Sequence, residues 1–299
     1  MFGGPVPESP LSILAIATVA TAMFRLGLAI APQDYPAAFR RSALMARALF
    51  CNLLAMPAIA IGVARLFDLS PGAEAGMVLM AIAPGAPIAL RRSLGAGADA
   101  AFAVSLQVVL AAVTVVSMPL SMALLDEAYG TVAQVSPATL ARQVFVMQWL
   151  PLAAGCVARR SLGRRALRVE PLAASIATAL LVLFVSLVLA DIWRPVWSAH
   201  WRVALAILVA TWLALALGHA MGRPEPATRT ALAIGTAARN AGLALLVTAV
   251  NRVPEEVQAT VLAYLLLSAL AATPYVLWRR RDFQRSGNIL PTTPSRRAA

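Results

Sequence analysis

The sequence predicts an all-helical membrane protein that crosses the bilayer nine times. Of its 299 residues, 60% are hydrophobic and only 13% are charged, which is about half the charge of an ordinary soluble domain. The hydrophobic residues form long runs, and residues 171–190, "PLAASIATALLVLFVSLVLA", carry no charge at all. Such a run is long enough to cross ~30 Å of hydrocarbon. Because the charges cluster between the runs, the net charge of +12 does not indicate nucleic-acid binding.

Nine spans can be drawn from these runs, each long enough at about 1.5 Å of rise per residue. The loops between them alternate in charge. One set of loops holds most of the arginines, including Arg40, Arg41 and the run at 159–168, and the opposite set holds acidic residues such as Asp68 and Glu74. By the positive-inside rule the arginine-rich side is cytoplasmic. The spans are residues 11–31, 42–67, 73–96, 98–125, 138–158, 171–190, 201–221, 227–250 and 256–278.

The domain organisation and topology follow from these spans. Residues 1–278 are expected to form one transmembrane domain, with a first half at about 11–125 and a second at about 138–278. The polar tail, residues 279–299, is expected to be disordered. The N-terminus is expected outside and the C-terminus in the cytoplasm, in the cell inner membrane. Cys51 and Cys156 lie in apolar surroundings without metal or redox spacing, so we expect free thiols.

The third span is interrupted. It reads "AGMVLMAIAPGAPIALRRSLGAG", with Pro84, Gly85 and Pro87 in its middle. Proline lacks a backbone donor and clashes with the preceding turn, so two prolines around a glycine predict a broken helix. Backbone groups freed inside a membrane need partners, which places the break against protein or a water-filled cavity. Taken alone, the Pro-Gly pair is also compatible with a simple kink.

The eighth span carries a charge at its centre. Arg239 and Asn240 lie between Gly235 and Gly242 in an otherwise apolar run. A charge at mid-depth costs something like 2.5–3.5 kcal/mol, so it is expected to face an interior cavity. A lone arginine can also serve only to tie helices together. Two interrupted helices at matching places of two halves, however, indicate a transporter whose binding site lies at the bilayer midplane.

Four motifs in order resemble the bile acid:sodium symporter family. They are "MFRLGLAIAPQDY" (23–35), "NLLAMPAIA" (52–60), "APGAPIALRRSLGAGADAAFAVSLQ" (83–107) and "RNAGLA" (239–244). The resemblance implies inverted repeats, a panel domain beside a core domain, and two broken helices that cross in the core. Many members have ten helices, and this chain resembles nine-helix relatives that lack the first.

The chain departs from the family at the positions that bind sodium. Hydroxyl, amide and carboxylate side chains are replaced there, and no Asp or Glu lies at mid-depth in any predicted span. An arginine next to such a site also repels sodium. We therefore expect no use of the usual sodium sites, no other metal and no cofactor. The replacements are Ala89 and Leu90 for a Ser-Asn pair, Ala103 and Gln107 for hydroxyls, Gly235 for Glu, and Arg239 for Gln.

The function predicted from these features is secondary active or facilitative transport of a small organic anion by alternating access. Two alternatives stay open: a sodium-coupled symporter of the same family, and a non-transporting membrane sensor or scaffold built on the same fold. An enzyme is disfavoured because His200 and His219 have no cysteine or carboxylate pair near them in sequence. The expected partners are the anion and the lipid bilayer, with no nucleic acid, and the protein is expected to be a monomer.

The substrate is expected to bind between the two breaks and the panel. Arg239 is expected to act as a tethered cation in place of bound sodium. Its guanidinium would bond the carbonyls freed near Pro84 and Gly85, and one N–H donor would remain for a substrate carboxylate. The expected binding residues are Asn52, Pro84, Gly85, Gln107, Arg239 and Asn240.

Overall fold

The computed structural model describes residues 10–29, 41–129, 137–197, 201–251 and 253–286, and within these ranges the chain is helical with no strand. The all-helical class is therefore confirmed. The helices are α1 (Pro10–Ala29), α2 (Ser42–Leu66), α3 (Pro71–Ala81), α4 (Pro87–Gly95), α5 (Ala100–Tyr129), α6 (Pro137–Val144, Phe145–Trp149 and Leu150–Leu162), α7 (Ala166–Trp197), α8 (Trp201–Met221), α9 (Pro226–Ala237), α10 (Ala241–Val250) and α11 (Glu255–Arg285).

Eight helical stretches of the described residues are long and apolar enough to cross a membrane, with α9 and α10 taken together as one of them. They match eight of the nine predicted spans. The other predicted span, 73–96, forms two helices of 11 and 9 residues, α3 and α4. Each is too short to cross ~30 Å of hydrocarbon alone. The turn between them, residues 82–86, lies where the Pro-Gly pair predicts a break.

The last helix is longer than the sequence pattern indicates. α11 continues to Arg285, whereas the membrane domain was expected to end at 278 and the tail to be disordered from 279. Arg279 contributes to this extension, because its Nη1 bonds Asp282 Oδ2 at 2.5 Å, one turn further along the helix. Residues 287–299 of the expected tail, His200 and the end of the first motif lie outside the described residues.

Two of the long helices contain a π-helical turn. In α2 it covers Cys51–Ala55 and in α6 it covers Phe145–Trp149. Each ends two residues before a proline, Pro57 or Pro151. A proline cannot donate to the preceding turn, and a π-turn is one way for the helix to accommodate the lost bond. Each π-turn carries one buried amide side chain, which becomes important at the site.

Helix α1 packs along α6 and α7. The contact with α6 is a close backbone approach: a Cβ atom built on Gly27 would lie 2.3 Å from the carbonyl oxygen of Leu152, and one on Gly155 would lie 2.1 Å from that of Phe24. Small residues at such crossings allow helices in a membrane to approach this closely. A salt bridge of 2.9 Å between Arg25 Nε and a carboxylate on α7 also joins α1 to α7. These three helices are called the α1–α6–α7 group below.

The remaining helices pack around the two breaks, with α8 on α9 and α3 on α11. They meet the α1–α6–α7 group where α1 touches α10 and α7 touches α11. One polar contact at this boundary is a reciprocal amide pair between α6 and the end of α10. Gln143 Nε2 donates to Asn251 Oδ1 at 3.2 Å, and Asn251 Nδ2 donates to Gln143 Oε1 at 3.3 Å.

Candidate functional site

The first break has a conformation that its residues require. Gly85 has a φ of +79°, a left-handed conformation that glycine adopts without strain. A Cβ atom there would also lie 3.2 Å from Leu110 Cβ and 3.7 Å from Gln107 Oε1, so the turn is pressed against α5. Pro84 cannot continue α3, and Pro87 begins α4 at a position where its missing N–H has no cost.

The second break, residues 238–240, contains neither proline nor glycine. Its polar residues supply the bonds that the open backbone needs. The N–H of Asn240 donates to the carbonyl of Ala83 at 2.8 Å, so the two breaks touch through their backbones. The Asn240 side-chain oxygen accepts from the N–H of Leu243 at 3.1 Å and caps α10.

Arg239 joins three elements at this crossing, and its side chain is only 4% exposed. It makes five hydrogen bonds, and a guanidinium has five N–H donors, so every donor has a protein acceptor. The bonds are Nε to Met80 O (3.3 Å), Nη1 to Asn52 Oδ1 (3.0 Å) and to Thr236 O (3.3 Å), and Nη2 to Asn52 O (3.2 Å) and to Ala81 O.

One detail of the expected contacts of Arg239 is confirmed and one is wrong. The acceptors on the third span are the carbonyls of Met80 and Ala81 in the last turn of α3, four residues before Pro84 and Gly85, so Arg239 bonds carbonyls freed by the break, as expected. The carbonyl of Ala83, closer to the proline, is taken by the backbone of Asn240. The expected donor for a substrate carboxylate is absent, because the π-turn of α2 supplies two acceptors from the buried Asn52 and so completes the five bonds of Arg239.

The charge of Arg239 is balanced by backbone dipoles. Met80 and Ala81 end α3, and Thr236 lies in the last turn of α9, so both helices point their partially negative C-terminal ends toward the guanidinium. Among the Asp and Glu side chains whose burial the structure describes, none is buried. The site therefore holds a buried positive charge that is fully hydrogen-bonded but has no carboxylate partner among those side chains.

Gln148 extends the site, and the sequence analysis missed it. It lies in the π-turn of α6, is fully buried, and donates from Nε2 to the carbonyl of Ala111 at 3.2 Å. Its Oε1 is 3.5 Å from Asn240 Nδ2, at the limit of a hydrogen bond. This contact links the α1–α6–α7 group to the second break. The signal was present in "VFVMQWLP", an apolar run with one amide just before a proline.

The six residues expected at the site all lie at or beside the breaks. Asn52 and Asn240 bond to Arg239 or to the first break, Pro84 and Gly85 form that break, and Gln107 faces Gly85. Gln107 is 2% exposed, and its Oε1 has no hydrogen-bond partner within the described ranges. That these residues bind substrate stays a prediction.

Four of the six positions that resemble sodium ligands of the family carry no polar side chain here; the exceptions are Gln107 and Arg239. Ala89, Leu90 and Ala103 are buried, and none offers a side-chain oxygen. At Gly235 a Cβ atom would lie 3.0 Å from Leu106 Cδ2, so little space exists for a larger side chain unless that leucine moves. In the described ranges, no group of three or more His, Cys, Asp or Glu side chains is placed to hold a metal.

Comparison with known families matches residues 16–192 to the Sodium Bile acid symporter family. The match covers more than half of the chain. The chain belongs to the sodium bile acid symporter family. A search of curated proteins found no match. Membership indicates a multi-pass membrane transporter of the bile acid symporter type, in agreement with the all-helical structure. The match ends before α9, so the second break and Arg239 lie outside it.

Proposed function

We propose that this family member carries a small organic anion across the membrane by alternating access and does not use the usual sodium sites. The observation that carries the proposal is Arg239. Its guanidinium occupies all five of its donors with acceptors from α2, the end of α3 and the end of α9. In secondary transporters with broken helices, freed carbonyls and half-helix C-termini of this kind coordinate the coupling cation. Here a covalently attached cation takes those acceptors.

A fixed cation changes the energetics of the site. Bound sodium enters and leaves with each cycle, whereas a guanidinium stays and cannot store gradient energy. Its positive charge has no buried carboxylate beside it in the described ranges. An anion that approaches the crossing is therefore attracted through a low-dielectric surrounding, where charges interact more strongly than in water. This supports an anionic cargo moved as uniport or exchange.

The direct contacts to the anion are assigned to amides next to Arg239, since the guanidinium has no donor left. Among the described residues, Asn240 Nδ2 contacts only Gln148 Oε1, at 3.5 Å, and an anion would displace that contact at small cost. Gln107 lies against the first break, where its amide nitrogen supplies the N–H donors that an anion needs; its Oε1, which has no partner among the described residues, is an acceptor. We assign Asn240, Gln107 and Gln148 to the polar part of the site. Asn52, Pro84 and Gly85 shape the wall that positions Arg239.

The proposed transport unit has nine crossings. α3 and α4 together make the ninth, in the manner of α9 and α10, and the two broken spans belong to inverted repeats. The α1–α6–α7 group serves as the panel and the remaining helices as the core. The arginine asymmetry of the loops supports an N-terminus outside and a C-terminus in the cytoplasm of an inner membrane. A single chain is the proposed transport unit.

The test is flux in proteoliposomes. A thermal-shift screen of organic acids selects a ligand, and uptake of that ligand is measured in sodium and in choline buffers. We expect the same apparent affinity in both. A tenfold gain in sodium, about 1.4 kcal/mol of coupling, would favour the sodium-coupled alternative instead. A ligand that binds without flux would favour a sensor or scaffold.

A further inference from the structure

The basic end of α11 carries a groove that the transport site does not use. Its volume is ≈ 440 Å³. Two rows of side chains, each spaced by four residues, follow one another along the same helix face, where positions i and i+4 are neighbours. The first row is Thr273, Leu277, Arg281 and Arg285, and the second is Pro274, Trp278 and Asp282.

The groove changes from apolar to basic along its length. Thr273, Pro274 and Leu277 lie at one end, and Arg281 and Arg285 lie at the other. At a rise of about 1.5 Å per residue the two ends are roughly 18 Å apart. That length spans the upper part of an acyl chain and the phosphate of one phospholipid. Leu270, one turn before the groove, is also exposed and extends the apolar end.

The charges at the basic end favour an anion. Asp282 is already paired with Arg279 at 2.5 Å. Arg281 and Arg285 are exposed and make no hydrogen bond or ion pair within the described residues. The lining therefore presents two unpaired guanidinium groups beside one carboxylate, Asp282, that already bonds Arg279. A guanidinium bonds phosphate oxygens in a planar, two-donor geometry.

Trp278 lies at the boundary between the two ends. It is 51% exposed, which leaves much of the indole toward the groove. The guanidinium of Arg279 lies 5.2 Å from its ring centroid, and the ring of His219 lies 5.7 Å away. Arg279 is itself held by Thr230 Oγ1 at 2.9 Å. An indole fixed in this way is typical of the membrane–water boundary, where tryptophan packs at headgroup level.

We propose that this groove binds the phosphate of an anionic phospholipid. Arg281 and Arg285 hold the phosphate, Trp278 packs at the glycerol level, and Leu277 with Leu270 lies along the acyl chain. The apolar end requires a lipid, since a soluble phosphate would leave Leu277 and Leu270 uncovered. The proposal is independent of the transport cycle and of the identity of its cargo.

Binding of phosphatidylglycerol to the purified full chain in detergent tests this proposal, with phosphatidylcholine as the neutral lipid. Native mass spectrometry counts the bound lipids during a titration, and thermal melting gives a second readout. The groove variant is R281Q with R285Q. The matched control is R91Q with R280Q, because these arginines are also exposed and the charge change is the same. All of these side chains are at the surface, and size-exclusion profiles check folding.

We expect the unmodified chain to bind phosphatidylglycerol at least tenfold more tightly than phosphatidylcholine. The groove variant should bind phosphatidylglycerol roughly thirtyfold more weakly than the unmodified chain, as two charges near a lipid surface provide, and the control variant should keep the affinity. Equal losses in the two variants would overturn the proposal in favour of general surface charge. Competition by glycerol 3-phosphate at similar concentration, or no preference for the anionic lipid, would overturn it as well.

Discussion

Replacing Arg239 changes the number of donors at the crossing in a graded way. Lysine keeps the charge and offers three N–H donors, glutamine offers two without charge, and methionine offers none. The acceptors are five separate oxygen atoms on Met80, Ala81, Thr236 and Asn52. We therefore expect stability to fall in the order Arg239, Arg239→Lys, Arg239→Gln, Arg239→Met, with unchanged helix content.

The magnitude follows from the unpaired acceptors. A buried acceptor left without a partner costs about 1 kcal/mol at the low end of the measured range. Met80 O also accepts from the N–H of Ala83 at 3.2 Å, so four acceptors depend on Arg239 for a partner. Lysine leaves at least one of these four without a donor, glutamine two and methionine four. The expected losses in the free energy of unfolding are therefore about 1, 2 and 4 kcal/mol. Removing an unpaired buried charge offsets part of the loss for the two neutral variants, so the values are upper estimates.

Unfolding in mixed micelles, followed by helix content during an SDS titration, measures these differences. Arg47→Gln is the matched control, because Arg47 also donates to a backbone carbonyl, that of Arg223 at 3.1 Å, but is partly exposed. Its expected change is below about 0.5 kcal/mol. An Arg239→Met variant as stable as the unmodified chain would refute the tethered-cation account. Arg239→Lys being less stable than Arg239→Met would show that donor number does not set the order.

Three further predictions follow from the packing. Gly85→Ala should lower the free energy of unfolding by about 1–2 kcal/mol, because the backbone at this position is left-handed. Gly62→Ala, where an added Cβ meets open space, should leave the free energy of unfolding unchanged or raise it in the same assay. Equal effects of the two substitutions would contradict this prediction. Gln143→Cys with Asn251→Cys, made in a chain lacking Cys51 and Cys156, should be joined by a short bifunctional methanethiosulfonate, which should stop flux until a reductant is added. Undiminished flux in the cross-linked protein would show that this boundary does not open. A phosphatase fused to the C-terminus should be inactive, since it would stay in the cytoplasm, and activity there would reverse the proposed topology.

The two breaks differed in how far the sequence could predict them. The first follows from local chemistry, because Pro84, Gly85 and Pro87 each impose a backbone restriction wherever the segment lies. The second contains no such residue and was inferred from the cost of an arginine in an apolar run. Which carbonyls Arg239 bonds depends on helices more than 150 positions away in the chain. The sequence pattern therefore predicts that a buried arginine needs hydrogen-bond acceptors, but it does not predict which residues supply them.

The π-turns and the extension of α11 illustrate the same limit. A proline near the middle of α2 or α6 predicts some disturbance of the helix, but not a π-turn that directs Asn52 or Gln148 inward. Only the structure therefore identifies Gln148 as a neighbour of the second break. The run at 279–285 has the composition of a polar tail, and its helix is supported by Arg279, which bonds both Asp282 and Thr230 on α9. That tertiary contact has no signature in the local sequence.

The glycine contact between α1 and α6 has a mechanical consequence. Where two helices touch backbone to backbone, no side chain can change rotamer to let one slide along the other. At Gly27 and Gly155 even one added carbon would overlap a main-chain oxygen. We expect α1 and α6 to shift only as a locked pair, so any sliding must occur at surfaces where longer side chains intervene, such as those between α1 and α10 or between α7 and α11.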